Sequence, residues 1–168
     1  FIENVDENDI VIDVACGTGL ILHKVSAKIK KGYGVEIDRS NLSICKTKHA
    51  AHNVEYICED IMNLNYDEFK KSTEYTTAIF SHILEHIENV PEFLKKVDAG
   101  KILVCVPSQE NWLAQLKIYL GLPYFLDDTH FREYSREMLA HELKQAGYSI
   151  KYIGFNPEGE IICRAEIR

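Results

Sequence analysis

The sequence predicts an α/β fold: a doubly wound, seven-stranded sheet, mostly parallel with an antiparallel final strand, and helices on both faces. Three observations predict it. Short β-branched runs alternate with helical patterns along most of the 168 residues, and such alternation builds a parallel sheet covered on both sides. The first run ends in a small turn, Asp13-Val-Ala-Cys-Gly17-Thr-Gly19, that leads into a helix. Glycines let the backbone approach a ligand closely, and a helix start presents free N–H groups. The last two runs are separated only by Asn156-Pro157-Glu158-Gly159, a turn suited to an antiparallel hairpin at the sheet edge.

In chain order the strand runs fall at 10–15, 33–37, 54–58, 77–81, 102–106, 149–155 and 160–167. Leu22, Val25 and Ile29 share one helical face after the first run, and Phe93, Leu94 and Val97 mark another helix before Gly100. Leu139, Leu143 and Ala146 repeat at i, i+4 and i+7, with Gly147 as the stop signal. One stretch exceeds a minimal alternation. At about 108–134 an amphipathic helix from Trp112 precedes an aromatic-rich loop ending in His130-Phe-Arg132-Glu-Tyr134. It leaves the fifth strand at its carboxyl end, where open α/β sheets bind ligands, and is read as a substrate lid. Residues 1–168 read as a single domain without repeats or linkers.

Composition narrows the function. A 46% hydrophobic chain of this length suits one domain with a substantial core. The net charge of −7 argues against a broad nucleic-acid footprint. No apolar run approaches the roughly 20 residues needed to span a bilayer, and nothing resembles a signal peptide. The five cysteines are dispersed, so Cys58, Cys105 and Cys163 read as small core residues in a reducing cytoplasm, and Cys16 as a turn residue. The chain starts at Phe1 rather than Met, as expected if residues precede it. Nothing in the pattern fixes an oligomeric state.

Three features fall at successive strand ends. Asp13 and the Gly17/Gly19 turn follow the first strand, Glu36 ends the second, and Asp60 with Ile61 follows the third. A carboxylate at the second position suits a pair of ribose hydroxyls, and one at the third suits an exocyclic amine. A nicotinamide dehydrogenase would place a third glycine at position 22, which is Leu.

These segments resemble the class I S-adenosylmethionine-dependent methyltransferases, within them the small-molecule group of type 11/12. Asp13 to Gly19 is similar to that family's glycine turn, with Ala15 where the first glycine is common. Gly34-Val-Glu36-Ile37-Asp resembles the ribose motif, and Glu59-Asp60-Ile61 the adenine motif. Ser81-His-Ile-Leu-Glu-His86-Ile resembles the fourth-strand segment, Ile102 to Pro107 the fifth strand, and His130 to Tyr134 a late element of the group. The resemblance implies a Rossmann-like fold and the cofactor S-adenosyl-L-methionine, with S-adenosyl-L-homocysteine as product. It also implies that Asp13, Ala15, Gly17 and Gly19 hold the methionine tail, Glu36 and Ile37 the ribose, and Asp60 and Ile61 the adenine. Ser81 and His82 would line the pocket near the sulfonium. Alanine is tolerated at position 15 if its φ stays negative.

Methyl transfer is an in-line displacement in which the enzyme supplies alignment and, for a hydroxyl acceptor, a general base. His82 and His130 are the base candidates. Trp112, His130, Arg132 and Tyr134 are the substrate-binding candidates. His23, His49, His52 and His141 are expected to be solvated. His82-Ile-Leu-Glu85-His86 matches the H-x-x-E-H zinc-protease pattern, but it directly follows a core strand and meets Pro91 five residues later. Some RNA 3′-end methyltransferases hold a divalent ion with Glu-x-x-Glu-His and a later histidine. Here His82 replaces the first glutamate, Glu85 and His86 match, and His130 is the distant candidate. Against that, the net acidity disfavours RNA; no metal is expected, and Glu85 and His86 are expected to cap and pack a short helix. Neither Asn-Pro-Pro-Tyr nor Asp-Pro-Pro-Tyr follows the fourth strand, and no Pro-Cys pair is present, which argues against base methylation. The sequence thus reads as a methyltransferase with a small-molecule, glycan or lipid-like acceptor. The alternatives are the metal-dependent RNA 3′-end type and a non-catalytic S-adenosylmethionine-binding module, and the insertion favours an enzyme.

Overall fold

The computed structural model describes residues 1–125 and 127–167; Leu126, within the predicted insertion, and Arg168 lie outside the described residues. Five strands, β1 (Ile10–Val14), β2 (Lys31–Glu36), β3 (Val54–Cys58), β4 (Thr77–Ser81) and β5 (Lys101–Val106), run parallel. They are followed by a hairpin of β6 (Tyr148–Phe155) and β7 (Ile161–Ile167). The spatial order is β3-β2-β1-β4-β5-β7-β6, and β7 is antiparallel to both of its neighbours. The hairpin therefore turns its second strand inward and leaves β6 at the edge. The strand order reverses between β1 and β4, which opens a crevice above their carboxyl ends.

Successive residues of a strand face opposite sides, and the core divides accordingly. Ile10, Ile12 and Val14 pack in one cluster with Phe93, Leu94, Leu139 and Leu143. Val11, Ile79 and Leu103 pack in the other with Leu22, Val25 and Ile29. The helices are α1 (Leu20–Val25), α2 (Arg39–Lys48), α3 (Tyr66–Thr73), α4 (Val90–Val97), α5 (Trp112–Tyr119) and α6 (Arg136–Gln145). Five of them start from a side chain that accepts a first-turn N–H: Asp38, Asn65, Asn89, Asn111 and Ser135.

Three expectations are corrected at this level. The first helix ends at Val25, and Ile29 lies beyond a 3-10 turn, because the Ser26 hydroxyl bonds back to the His23 carbonyl and competes with the helix. The first strand ends at Val14, since Ala15 turns away with a φ of 60°. Cys58 is exposed rather than core, because β3 is an edge strand; Cys105 and Cys163 are buried as expected.

At the amino ends of the strands a polar staple joins β1, β4 and β5. Asp9 accepts from the Thr77 hydroxyl (2.7 Å), the Lys101 ammonium (2.6 Å) and the Asp6 N–H (2.8 Å). Burial works against the Asp9 carboxylate, and its bonds from Lys101, Thr77 and Asp6 outweigh that, holding its pKa below the ordinary value. Its contribution is therefore present above the unfolded-state value and lost as pH falls through the lower folded one. Replacing Asp9→Ala strands Lys101 and Thr77 and is expected to cost about 2–3 kcal/mol at neutral pH, read from the urea midpoint. An unchanged midpoint would refute the staple.

Candidate active site at the carboxyl ends of the strands

The turn after β1 is built for close backbone approach. Ala15, Gly17 and Gly19 all have positive φ, at 60°, 53° and 78°. The expectation of a negative φ at Ala15 is overturned, and a left-handed alanine costs about 1–2 kcal/mol that its surroundings must supply. Packing from below does so. Cys16 N–H donates to the Val35 carbonyl, the Tyr56 hydroxyl to the Gly19 carbonyl, and the Cys45 thiol to the Gly17 carbonyl. His49 Nδ1 lies 2.7 Å from the Thr18 carbonyl, so His49 braces the turn instead of being solvated. A Cβ on Gly19 would meet the Tyr56 hydroxyl at 2.7 Å, whereas one on Gly17 would meet nothing within 4 Å. The turn is full underneath and open above Gly17. Burial pushes the Cys16 thiol far up, which leaves it inert.

Two carboxylates lie beneath this turn. Glu36, buried at the end of β2, accepts the Gly17 N–H and the Asp38 N–H, both at 2.8 Å. Asp13 is buried in β1, and its Oδ2 has no hydrogen-bond partner. Burial, reinforced by the charge of Glu36, pushes the Asp13 carboxyl up to about 7. Beyond them Ile37 is 64% exposed, Ile61 is buried, and the Asp60 carboxylate accepts from Met62 N–H and Asn63 Nδ2. The sequence-predicted residues from Asp13 to Ile61 thus gather along the ends of β1, β2 and β3.

At β4 the chain passes through Ser81 to His82, whose φ is 54°. His82 Nε2 lies 3.0 Å from Glu160 Oε1, and the other Glu160 oxygen accepts from Asn156 Nδ2 and from the Cys105 thiol. Glu160 carried no sequence motif; only the inward turn of β7 brings it here. A cleft of about 460 Å³ lies alongside, lined by Trp112, Asn111, Tyr124, Glu133, Pro157 and Glu160 among others. Trp112, a substrate-binding candidate, lines this cleft.

Three other candidates are relocated. Arg132 donates to the Ile87 and Glu88 carbonyls and sits 3.6 Å from Glu142, so it ties the loop to the β4–α4 connection. Tyr134 is fully buried and donates to Glu142; a parallel bridge to Ser108 closes the base of the insertion. His130, with a side chain 7% exposed, bonds Glu133 through Nδ1 (2.8 Å) and packs edge-on against His86. Neither His130 nor His82 lines the cleft itself, though each pairs with a glutamate that does, Glu133 and Glu160. Glu85, His86 and His130 instead bring one ligating atom each within 4.8 Å of one another. Glu85 is fully buried with both oxygens lacking a hydrogen-bond partner, so it caps no helix, and burial raises its pKa. Of the expected capping and packing, the packing is seen in the buried Glu85, while its side chain accepts no helix N–H.

Residues 2–152 match a family model described as a methyltransferase domain. The chain belongs to that methyltransferase family. Its sheet and helices are those of the class I Rossmann-like fold. Magnesium protoporphyrin IX methyltransferase from Synechocystis, solved with bound S-adenosylhomocysteine, superposes with a TM-score of 0.70 over 99% of this chain and 77% of that one, at 16% identity. “Probable ribosomal RNA small subunit methyltransferase A” of Pyrococcus furiosus is 22% identical over 64% of this chain. The ubiquinone biosynthesis O-methyltransferase of Bradyrhizobium diazoefficiens is 24% identical over 69% of it. The chain spans 41% and 46% of the lengths of these two relatives. Among the described residues no helix is long and apolar enough to cross a membrane.

The Asp13 carboxyl gives the site a pH signature. Its folded pKa is raised, so its stabilising proton is held fully below the unfolded value of about 4 and is lost as pH rises through about 7. Between roughly pH 4 and pH 8 the protein is expected to lose on the order of 3 kcal/mol relative to an Asp13→Asn variant, measured by urea unfolding. Parallel pH profiles for the two proteins would remove Asp13 from this role.

Proposed function

We propose that this methyltransferase-family chain uses S-adenosylmethionine to methylate a small-molecule, glycan or lipid-like acceptor. The carrying observation is the orphaned, buried Asp13 Oδ2 beneath a turn that is open above Gly17. A buried carboxylate oxygen without a donor is costly, and a cationic, amine-bearing ligand tail relieves it. The residues present fit that cofactor. Asp13 and the backbone at Gly17 and Gly19 would hold its methionine end, Glu36 the ribose hydroxyls, and Asp60, Ile61 and the exposed Ile37 the adenine. A carboxylate accepts more bonds than the two Glu36 now makes, so the ribose need not displace Gly17 N–H.

When bound, the cofactor supplies an electrophilic methyl on sulfonium. The chain's own residues then orient the acceptor and handle its proton. Trp112 and Asn111 wall the cleft beside β5, and Glu160 fixes His82 through Nε2. His82, whose side chain is 46% exposed, is the base for a hydroxyl acceptor; His130, with a side chain only 7% exposed, is not. The ubiquinone and porphyrin methyltransferases among the similar proteins support a small-molecule acceptor.

A second reading rests on the Glu85–His86–His130 cluster. Thr129 Oγ1 at 3.0 Å engages His86 Nδ1, and Glu133 engages His130 Nδ1, which leaves both Nε2 atoms to ligate. With the Glu85 oxygens, which accept no hydrogen bond and have only His82 Nδ1 nearby at 3.7 Å, this is a mixed N/O donor set suited to a divalent cation. Such an ion would support a metal-dependent methyltransferase of the RNA 3′-end type, and the ribosomal RNA relative keeps an RNA acceptor in view.

Calorimetry with S-adenosylmethionine tests the first reading. Glu36→Ala is expected to weaken binding about 100-fold, with Glu36→Gln intermediate; unchanged affinity would refute the ribose assignment. For the second reading, EDTA or His86→Ala is expected to abolish activity while leaving donor affinity intact. Activity indifferent to both disposes of the ion.

A further inference from the structure

The insertion exposes apolar surface that the proposed reaction does not account for. Eight of the 17 exposed large hydrophobic side chains among the described residues fall between positions 112 and 125. Trp112, Leu113, Leu116, Tyr119 and Leu120 recur at helical spacing, so α5 presents one continuous apolar face, and Leu122 and Phe125 extend it. Water is a poor neighbour for a patch of this kind, which marks an interaction site.

We propose that this face docks on a lipid surface, and that the acceptor is an amphiphile taken from it; the second half rests on the methyltransferase reading above. Three observations select lipid over a protein partner. Trp112 and Tyr119 are the most exposed, at 77% and 85%, and such amphipathic rings settle at the headgroup level of a bilayer. Residues 111–125 contain no Asp or Glu although the chain has 26, so its acidity is kept off this face. Lys117 is the lone cation of the stretch, and its long stem can lie along apolar surface with the ammonium in water. The third observation is continuity. Trp112, Leu113, Lys117 and Tyr124 belong both to this stretch and to the lining of the 460 Å³ cleft. An acceptor with an apolar tail therefore reaches the cleft from the lipid without crossing water, its head group toward Glu160 and His82. The face lies along the surface and does not span it.

The test is co-sedimentation of the full chain with phosphatidylcholine vesicles, beside vesicles containing phosphatidylglycerol. The wild type is expected to pellet with the neutral vesicles. A Tyr119→Glu/Leu120→Glu variant, altered outside the cleft lining, is expected to lose about tenfold or more in partitioning while its affinity for S-adenosylmethionine is unchanged. Wild-type protein left in the supernatant at excess lipid overturns the proposal, as does equal partitioning of the variant. Self-association in sedimentation velocity that the variant breaks, without vesicle binding, also overturns it and makes the face a contact between copies. Vesicle binding without donor binding leaves the docking surface and removes the methyltransferase reading.

Discussion

The Glu36 carboxylate holds two loops at once. One oxygen takes the Gly17 N–H from the turn after β1, the other the Asp38 N–H that opens α2, and both bonds form in a buried setting. Charge-assisted bonds of this kind are among the stronger ones a fold can make. The whole donor-side architecture leans on them. The helix they open brings Cys45, and His49 at its C-terminal cap, against the turn. They also keep a second carboxylate close to Asp13, which raises the Asp13 pKa beyond what burial alone does.

The two ends of the sheet are built on opposite principles. At the amino ends Asp9 is saturated with donors and ties three strands together. At the carboxyl ends polar groups are left short of partners, as at Asp13 Oδ2 and both Glu85 oxygens, and Ala15 and His82 are held at positive φ. Unpaired buried groups and left-handed non-glycine residues both cost free energy; Glu74 and Asp98, also left-handed, instead end α3 and α4.

Much of this was legible in residue order. A strand ending in a glycine turn needs only local periodicity to be read, and Asp13, Glu36 and Asp60 follow from where the strands stop. The hairpin could be read from the short turn at 156–159 in the same way. Arg132 and Tyr134 could not, because their function depends on what lies across from them. The chain returns from the insertion beside Ser108 and places the guanidinium against the Ile87 and Glu88 carbonyls. Long polar side chains after a loop suggest substrate contact in any sequence. Here their bonds run to Ile87, Glu88 and Glu142 and fasten the loop. Glu160 was invisible for the complementary reason: a glutamate after a turn has no pattern until β7 lies against β5 and carries it to His82.

The sequence by itself determined the strand–helix alternation, the turn that approaches a ligand and the acids at successive strand ends, because each depends on neighbours within a few residues. Tertiary structure alone decided three things. It holds Ala15 in a left-handed conformation beside the bond from Cys16 N–H to the Val35 carbonyl. It gathered Glu85, His86 and His130 into one donor set by bonding the Phe131 N–H to the Glu85 carbonyl. It also left the apolar face of α5 uncovered beside the cleft. These outcomes join residues far apart in the chain or depend on what fails to pack, and sequence periodicity records neither.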